Sequence, residues 1–410
     1  MASPIIDRPK LRKVDRAVLR RGDELLVVLR DPLGIAEPAA LPEEANLVLD
    51  MFDGQRTAAQ IRQSLMLRGV LSVTLEEVIE LVDELSSAGF LDDDKFRSMW
   101  EAAHRDFMGQ AVRSPRFADV IYPGNPAALR AELSQALPDP GSRVVPGSDV
   151  IGVLLPHQPL VGRAATLADA TLRGLPDPRS IDVVVILGAD LHPGRLPFAL
   201  TDKHYGTPIG PVRTDSGLVR ALAARLPWIR REEIRHREAV SLELAALTLR
   251  HLYGDACPLT LPIACGSAAL RDDPELDGFL ATMEHVLEDR RVLWWISAEL
   301  SHAGPAYGRP ALGAEGLQLL AERDLACIDS LRASRPEQLT RRCQDNDELL
   351  GRPSGAAALA TAARLLPVGY RAELVDYATC NPGGAEPGWL GLAGMRFARP
   401  HDDDDDDNDE

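Results

Sequence analysis

Val150-Ile-Gly-Val-Leu-Leu-Pro156-His157 and Ile181-Asp-Val-Val-Val-Ile-Leu-Gly-Ala-Asp190-Leu-His192 decide the fold. Continuous runs of leucine and β-branched residues at this length read as strands buried on both faces, as in a parallel sheet covered by helices. Ligands of open α/β sheets bind in the crevice outside the carboxyl ends of the strands. Both runs reach a histidine at that end. A single histidine after a strand is ordinarily a loop or packing residue. Two in equivalent positions mark a candidate site.

Working outward, Leu259-Thr-Leu-Pro-Ile-Ala264 and Val292-Leu-Trp-Trp-Ile-Ser297 read as further buried strands, and Trp294 and Trp295 as core. The second is followed at once by Ala298-Glu299-Leu-Ser-His302, an acid and a histidine after a strand. Helices fit 160–174, 215–226, 237–253, 277–289, 314–333 and 355–366. The segments 372–378 and 395–397 read as closing strands. The alternation predicts an α/β domain over 116–397, with a mostly parallel sheet flanked by helices.

Residues 1–95 predict a separate, small α+β domain. Asp23–Arg30 reads as a strand, and Ala45, Val48, Leu49 and Phe52 make a helical stripe within 43–52. Thr57 is placed to cap a helix over 58–67. Thr74-Leu-Glu-Glu77 has the capping-box pattern and opens a helix over 75–88, which stops at Gly89-Phe-Leu91. Residues 96–115 are a polar helical connector with Phe96, Trp100 and Phe107 as anchors, and His104 among them reads as surface. The acidic run of 398–410 cannot bury enough apolar surface to order itself and is expected to be a disordered tail.

The net charge of -17 is partly this tail: Asp402–Asp407, Asp409 and Glu410 carry eight of its acids, which leaves 45 basic and 54 acidic side chains on the body. No basic excess is present to hold a phosphate backbone, so nucleic-acid binding is not expected. The five cysteines form no CxxC pair, which excludes a zinc knuckle and fits a reducing compartment. No apolar run is long enough to cross a membrane, and no signal-like segment opens the chain, so the expectation is a cytoplasmic protein.

Seven motifs in order resemble the Memo family, the B component of the AmmeMemoRadiSam grouping, whose fold is like that of class III extradiol dioxygenases. They are Phe117-Ala-Asp-Val-Ile-Tyr122-Pro123-Gly-Asn-Pro126, Leu155-Pro156-His157, Ile186-Leu-Gly188-Ala-Asp-Leu-His192, Tyr205-Gly-Thr207-Pro208 through Thr214-Asp215, Ser241-Leu-Glu243, Leu261-Pro262-Ile-Ala-Cys-Gly266 and Ser297-Ala-Glu299-Leu-Ser-His302. Each is weak alone; together they are specific for the family, though not for an activity.

The resemblance implies a metal site with His157 and His192 as ligands and Glu243 or Glu299 as the carboxylate. It makes Glu299 and His302 the acid/base candidates. Two imidazoles and a carboxylate suit iron; copper is the other redox choice, and zinc would direct the site to hydrolysis. The family's other histidine falls on Val240 and its cysteine near Leu350, with Cys343 seven residues off register. The rival expectation is therefore an inactive scaffold. His204, His236, His251 and His285 lie outside these motifs.

Residues 1–95 resemble the PqqD-like winged-helix module through Asp50-Met-Phe-Asp-Gly54, Val78–Leu85 and Gly89-Phe-Leu91. That resemblance implies binding of a peptide or partner protein, whereas a DNA-reading role is opposed by the acidic helix that starts at Thr74. The substrate expected is a small molecule or a peptide presented by this domain.

Overall fold

The computed structural model describes residues 7–21, 24–70, 72–191, 194–271, 273–383 and 386–400; of the tail expected to be disordered, 401–410 lie outside them, whereas Ala398 ends a strand. The chain forms two compact units, Met1–Gly109 and Gln110–Glu410.

In the first unit β1 (Asp15–Arg21), β2 (Glu24–Arg30) and β3 (Ala39–Pro42) make an antiparallel sheet in that order. Only β2 announces itself in the sequence; β1 is broken by charges and β3 is too short to show a period. Four helices follow: α1 (Ala45–Leu49), α2 (Ala58–Leu67), α3 (Leu75–Ser87) and α4 (Asp94–Met108). Both threonine caps form, with Thr57 and Gln60 bonded reciprocally and the Thr74 N–H donating to Glu77 at 2.7 Å. Helix α1 is shorter than its apolar stripe, because Met51 and Phe52 enter the core after the helix has ended. Helix α3 buries Val78, Val82 and Leu85 in a cluster with Ile61, Leu65 and Phe90. Gly89, at φ +81°, turns the chain so that Leu91 bridges Leu11, just past the expected helix stop.

The strands of the second unit are β4 (Val112–Arg113), β5 (Val144–Val145), β6 (Val150–Leu155), β7 (Leu175–Pro176), β8 (Val183–Ala189), β9 (Phe198–Leu200), β10 (His204–Tyr205), β11 (Thr260–Cys265), β12 (Val292–Ser297), β13 (His302–Ala303), β14 (Arg371–Cys380) and β15 (Trp389–Ala398). Its helices are α5 (Pro126–Ala136), α6 (Gly162–Thr171), α7 (Ser216–Arg225), α8 (Val240–Tyr253), α9 (Pro274–Leu287), α10 (Ala314–Arg332), α11 (Pro336–Gln344) and α12 (Ala356–Leu365).

The main sheet runs β13-β15-β6-β12-β8-β11-β9, with β14 on β15. Its centre is parallel, β6 beside β12, β12 beside β8 and β8 beside β11, whereas β9, β13, β14 and β15 add antiparallel edges. Helices cover both faces, and the strands alternate between two cores. Val183, Val185, Leu187 and Trp294 pack with α7, α9 and α12 residues; Val184, Ile186 and Trp295 pack with α6 and α8 residues. Burial on both faces is why these strands read as unbroken apolar runs. The short strands β4, β5, β7, β9, β10 and β13 and the helices α5 and α11 escaped the sequence reading. Strand β9 has three residues, and α11 is so polar that its stripe of Leu339, Thr340 and Cys343 does not stand out.

Candidate active site

Strand β12 lies between β6 and β8, so the motifs that follow these strands open on one crevice. His157 comes two residues after β6 and Glu299 two residues after β12. The second motif reaches this edge with β8 and Asp190, but His192 itself lies outside the described residues.

The segment that carries Glu299 and His302 is clamped by backbone. The Ala298 N–H donates to Leu155 O at 2.9 Å, Gly355 N–H to Glu299 O at 2.9 Å and Leu300 N–H to Gly391 O at 3.0 Å. From α10, Asp324 accepts from the Ser301 N–H at 3.1 Å and from its hydroxyl at 2.6 Å. Two glycines allow this closeness. A Cβ on Gly391 would lie 1.7 Å from the Asp324 carboxylate, and one on Gly355 would lie 2.4 Å from Ala298 Cβ.

Glu299 is buried at the middle of the crevice. Its Oε1 accepts from the Gln158 side chain at 2.7 Å, and its Oε2 lies 2.7 Å from His302 Nε2 and 3.7 Å from His157 Nε2. Burial alone would raise this carboxyl. The imidazoles of His157 and His302 and the Gln158 amide outweigh it and bring the pKa down to about 2, so Glu299 is ionised. Burial also holds His157 below the usual histidine range, despite the pull of Glu299. Neither ring nitrogen of His157 has a hydrogen-bond partner among the described residues: Nδ1 is enclosed alone, and 3.7 Å is too long for Nε2.

His302 is more open, with 21% of its side chain exposed. Its ring packs on that of Tyr307 at 4.8 Å between centroids. Burial, helped by Glu299, pushes the Tyr307 hydroxyl up to about 12. Sequence reasoning missed Gln158, Tyr307 and Asp324. The first two are neighbours of motif histidines, a signal that was there to follow; Asp324 sits mid-helix and carries none.

The expectation that Glu243 joins the histidines is corrected. Its carboxylate is fully buried and taken up by the Arg113 guanidinium, the Tyr122 hydroxyl and the backbone N–H groups of Arg116 and Phe117, the last two at 2.9 Å. Glu243 anchors the start of the second unit on α8. Its neighbour Ser241 ties the strand ends together, donating to Ala189 O at 2.7 Å and accepting from the Ser297 hydroxyl at its carbonyl, also 2.7 Å.

Leu350 is buried with Ala303 and Leu320, and Cys343 lies in the core cluster with Cys327. The other histidines are placed apart from the crevice motifs. His204 accepts from the Thr214 N–H at 3.1 Å, His251 lies 3.4 Å from Leu137 O, His285 is exposed and His104 stacks on Trp100. His236 is fully buried between the Tyr205 hydroxyl at 2.7 Å and Ala199 O at 2.8 Å.

A metal at the crevice has two of its expected donors on display, the imidazole of His157 and the ionised carboxylate of Glu299. Among the described residues no group of three or more His, Cys, Asp or Glu side chains is arranged to hold an ion. The third donor expected from the sequence motif, His192, lies outside the described residues.

A family model for Memo-like proteins matches residues 113–386. A MEMO1 family protein of Aquifex aeolicus is 23% identical over 305 residues, which cover 74% of this chain and 78% of the relative. MEMO1 family protein TTHA0924 of Thermus thermophilus is 27% identical over 69% of this chain and 82% of its own. One from Methanococcoides burtonii is 28% identical over 69% and 99%. Among the described residues no helix is long and apolar enough to cross a membrane.

Proposed function

The chain belongs to the Memo-like family, and on that premise we propose that it is a metal-dependent enzyme whose ion is held by His157, Glu299 and His192. One observation carries the reading. His157 is a buried imidazole whose pKa desolvation lowers, with no hydrogen bond at either nitrogen among the described residues and the Glu299 carboxylate 3.7 Å away. An unsatisfied buried polar group costs about 1–3 kcal/mol, and a cation between imidazole and carboxylate would remove that cost. Iron or copper would supply redox chemistry with oxygen, and zinc a polarised water.

The chain's own residues do the rest. Glu299 accepts the Nε2–H of His302, which leaves Nδ1 of that ring to take or return a proton. Tyr307 packs over the imidazole and limits its contact with water. The substrate is a small molecule or a peptide. In the first unit, β3 is an edge strand on which an extended peptide or partner protein can pair by strand addition.

A second reading, a Memo scaffold without turnover that docks a peptide or partner, is favoured by Val240 and Leu350 and by the hydrogen bonds already made to both Glu299 oxygens. Metal content separates the two. A variant with Asp402–Asp407 changed to serine keeps the acidic tail from contributing ions. In that background, near-stoichiometric iron, copper or zinc that is lost in His157→Ala/His192→Ala supports the enzyme. No metal after anaerobic iron(II), copper or zinc loading sinks it and leaves the scaffold.

A further inference from the structure

At the opposite edge of the main sheet, where β6 begins at Val150 and β12 at Val292, a cavity of about 930 Å³ opens between α9 and α12. A six-residue strand spans roughly 20 Å, so this cavity is well separated from His157 and Glu299. Its volume is that of a small-molecule site, and its lining joins a mostly apolar wall to several charged side chains. Ile151, Met283, Leu287, Trp294 and Leu366 form buried parts of its wall.

Arg364, in the last turn of α12, also lines it and is half-buried. Among the described residues its guanidinium makes no hydrogen bond or ion pair, and Nη1 is enclosed without a partner. A guanidinium has five donors and pairs best with a planar or tetrahedral oxyanion, so one left unmatched in an apolar wall is an unanswered demand for an anion. The other cations add to the bias. The nearest carboxylate to Arg290 is Asp215 at 4.0 Å, and the Arg399 side chain has no ion-pair partner among the described residues; Arg291 is committed to Asp182 at 2.8 Å. The acids of the lining, Glu284 and Glu288, are on the exposed rim.

We propose that this cavity is a second ligand site, which takes an amphipathic anion with its aliphatic or aryl body on the apolar wall and a carboxylate or phosphate head on Arg364. The inference is independent of the metal reading.

The test is calorimetric titration of the full chain at low ionic strength with decanoate, decyl phosphate and decanol. One equivalent of decanoate or of decyl phosphate binds, and which of them binds tells a carboxylate head from a phosphate head. Decanol, with no charge for Arg364, binds at least about tenfold more weakly. Arg364→Met weakens the anion by about tenfold. Val368, which lines the mouth and is 98% exposed, can be changed without disturbing the fold. Val368→Asp weakens the anion several-fold at low salt, and less as salt screens it. Failure of both anions to bind, equal binding of decanol, parental affinity in both variants, or loss of binding in His157→Ala would each overturn the proposal.

Discussion

Nε2 of His302 lies 2.7 Å from Oε2 of Glu299, three residues before it, at a strand end where the carboxylate is otherwise enclosed. With Glu299 ionised, the His302 nitrogen in that bond is the donor, so the carboxylate selects the ring tautomer. In Glu299→Gln the amide can turn either its oxygen or its nitrogen to the ring, and that selection is lost. Nitrogen NMR of labelled histidine is expected to show a single Nε2–H tautomer for His302 in the parent at neutral pH and a mixture in the variant. The same tautomer in both would remove Glu299 from this role.

Glu243 and Arg113 form an ion pair with both side chains buried. Removing one partner of a buried pair strands the other charge, at about 3–5 kcal/mol. Denaturant unfolding of Glu243→Ala is expected to show a loss of that size, with metal content per folded molecule unchanged. A loss of under about 1 kcal/mol, the scale of an exposed pair, would mean that Glu243 is no anchor.

His236 sets an acid limit. Burial, only partly opposed by its bond to Ala199 O and by nearby acids, lowers its pKa to about 4 from 6.5. A histidine depressed in the folded state stabilises above its unfolded pKa and loses that contribution as pH falls from 6.5 through 4. The shift amounts to about 3 kcal/mol. Unfolding free energies measured between pH 7 and 4 should fall in the parent and fall less steeply in His236→Gln. Equal slopes would refute the assignment.

Asp324 acts with the opposite sign. Burial raises it to about 6 from 3.8, with the Ser301 and Tyr377 hydrogen bonds holding it back. A carboxyl raised in the folded state stabilises fully below 3.8 and loses that contribution as pH rises through 6, again about 3 kcal/mol. Asp324→Asn, which keeps an acceptor for Ser301, is expected to raise the thermal midpoint at pH 8 relative to the parent and to change little at pH 4. A uniform drop at both would show that the ionised form is needed.

The sheet was legible because β6, β8, β11 and β12 are buried on both faces, and a strand of that kind leaves an apolar run that needs no alignment to see. Capping threonines Thr57 and Thr74 were legible for a local reason: the partners Gln60 and Glu77 are three residues away. Strand β1, with Asp15, Arg16 and Arg20, was not, because its place in the sheet comes from pairing with β2 rather than from a pattern of its own. At the site, His157, Glu299 and His302 were readable as polar residues just past such runs.

Glu243 shows where reading by position stops. In sequence it is as good a ligand candidate as Glu299, being an acid in a family motif beside a serine. Which of the two faces His157 depends on what else competes for the carboxylate, and Arg113 and Tyr122 lie more than a hundred positions away from Glu243. The amino-acid sequence by itself determined the layered α/β sheet, the strand ends at which chemistry collects, and the family. Only the tertiary structure decided that Glu299 holds the centre of the crevice, that Glu243 serves as an anchor, and that Arg364, unpaired among the described residues, lines the cavity at the far edge. The physical reason is range: hydrophobic periodicity and capping act within one element, whereas burial and charge pairing are settled between elements brought together by the fold.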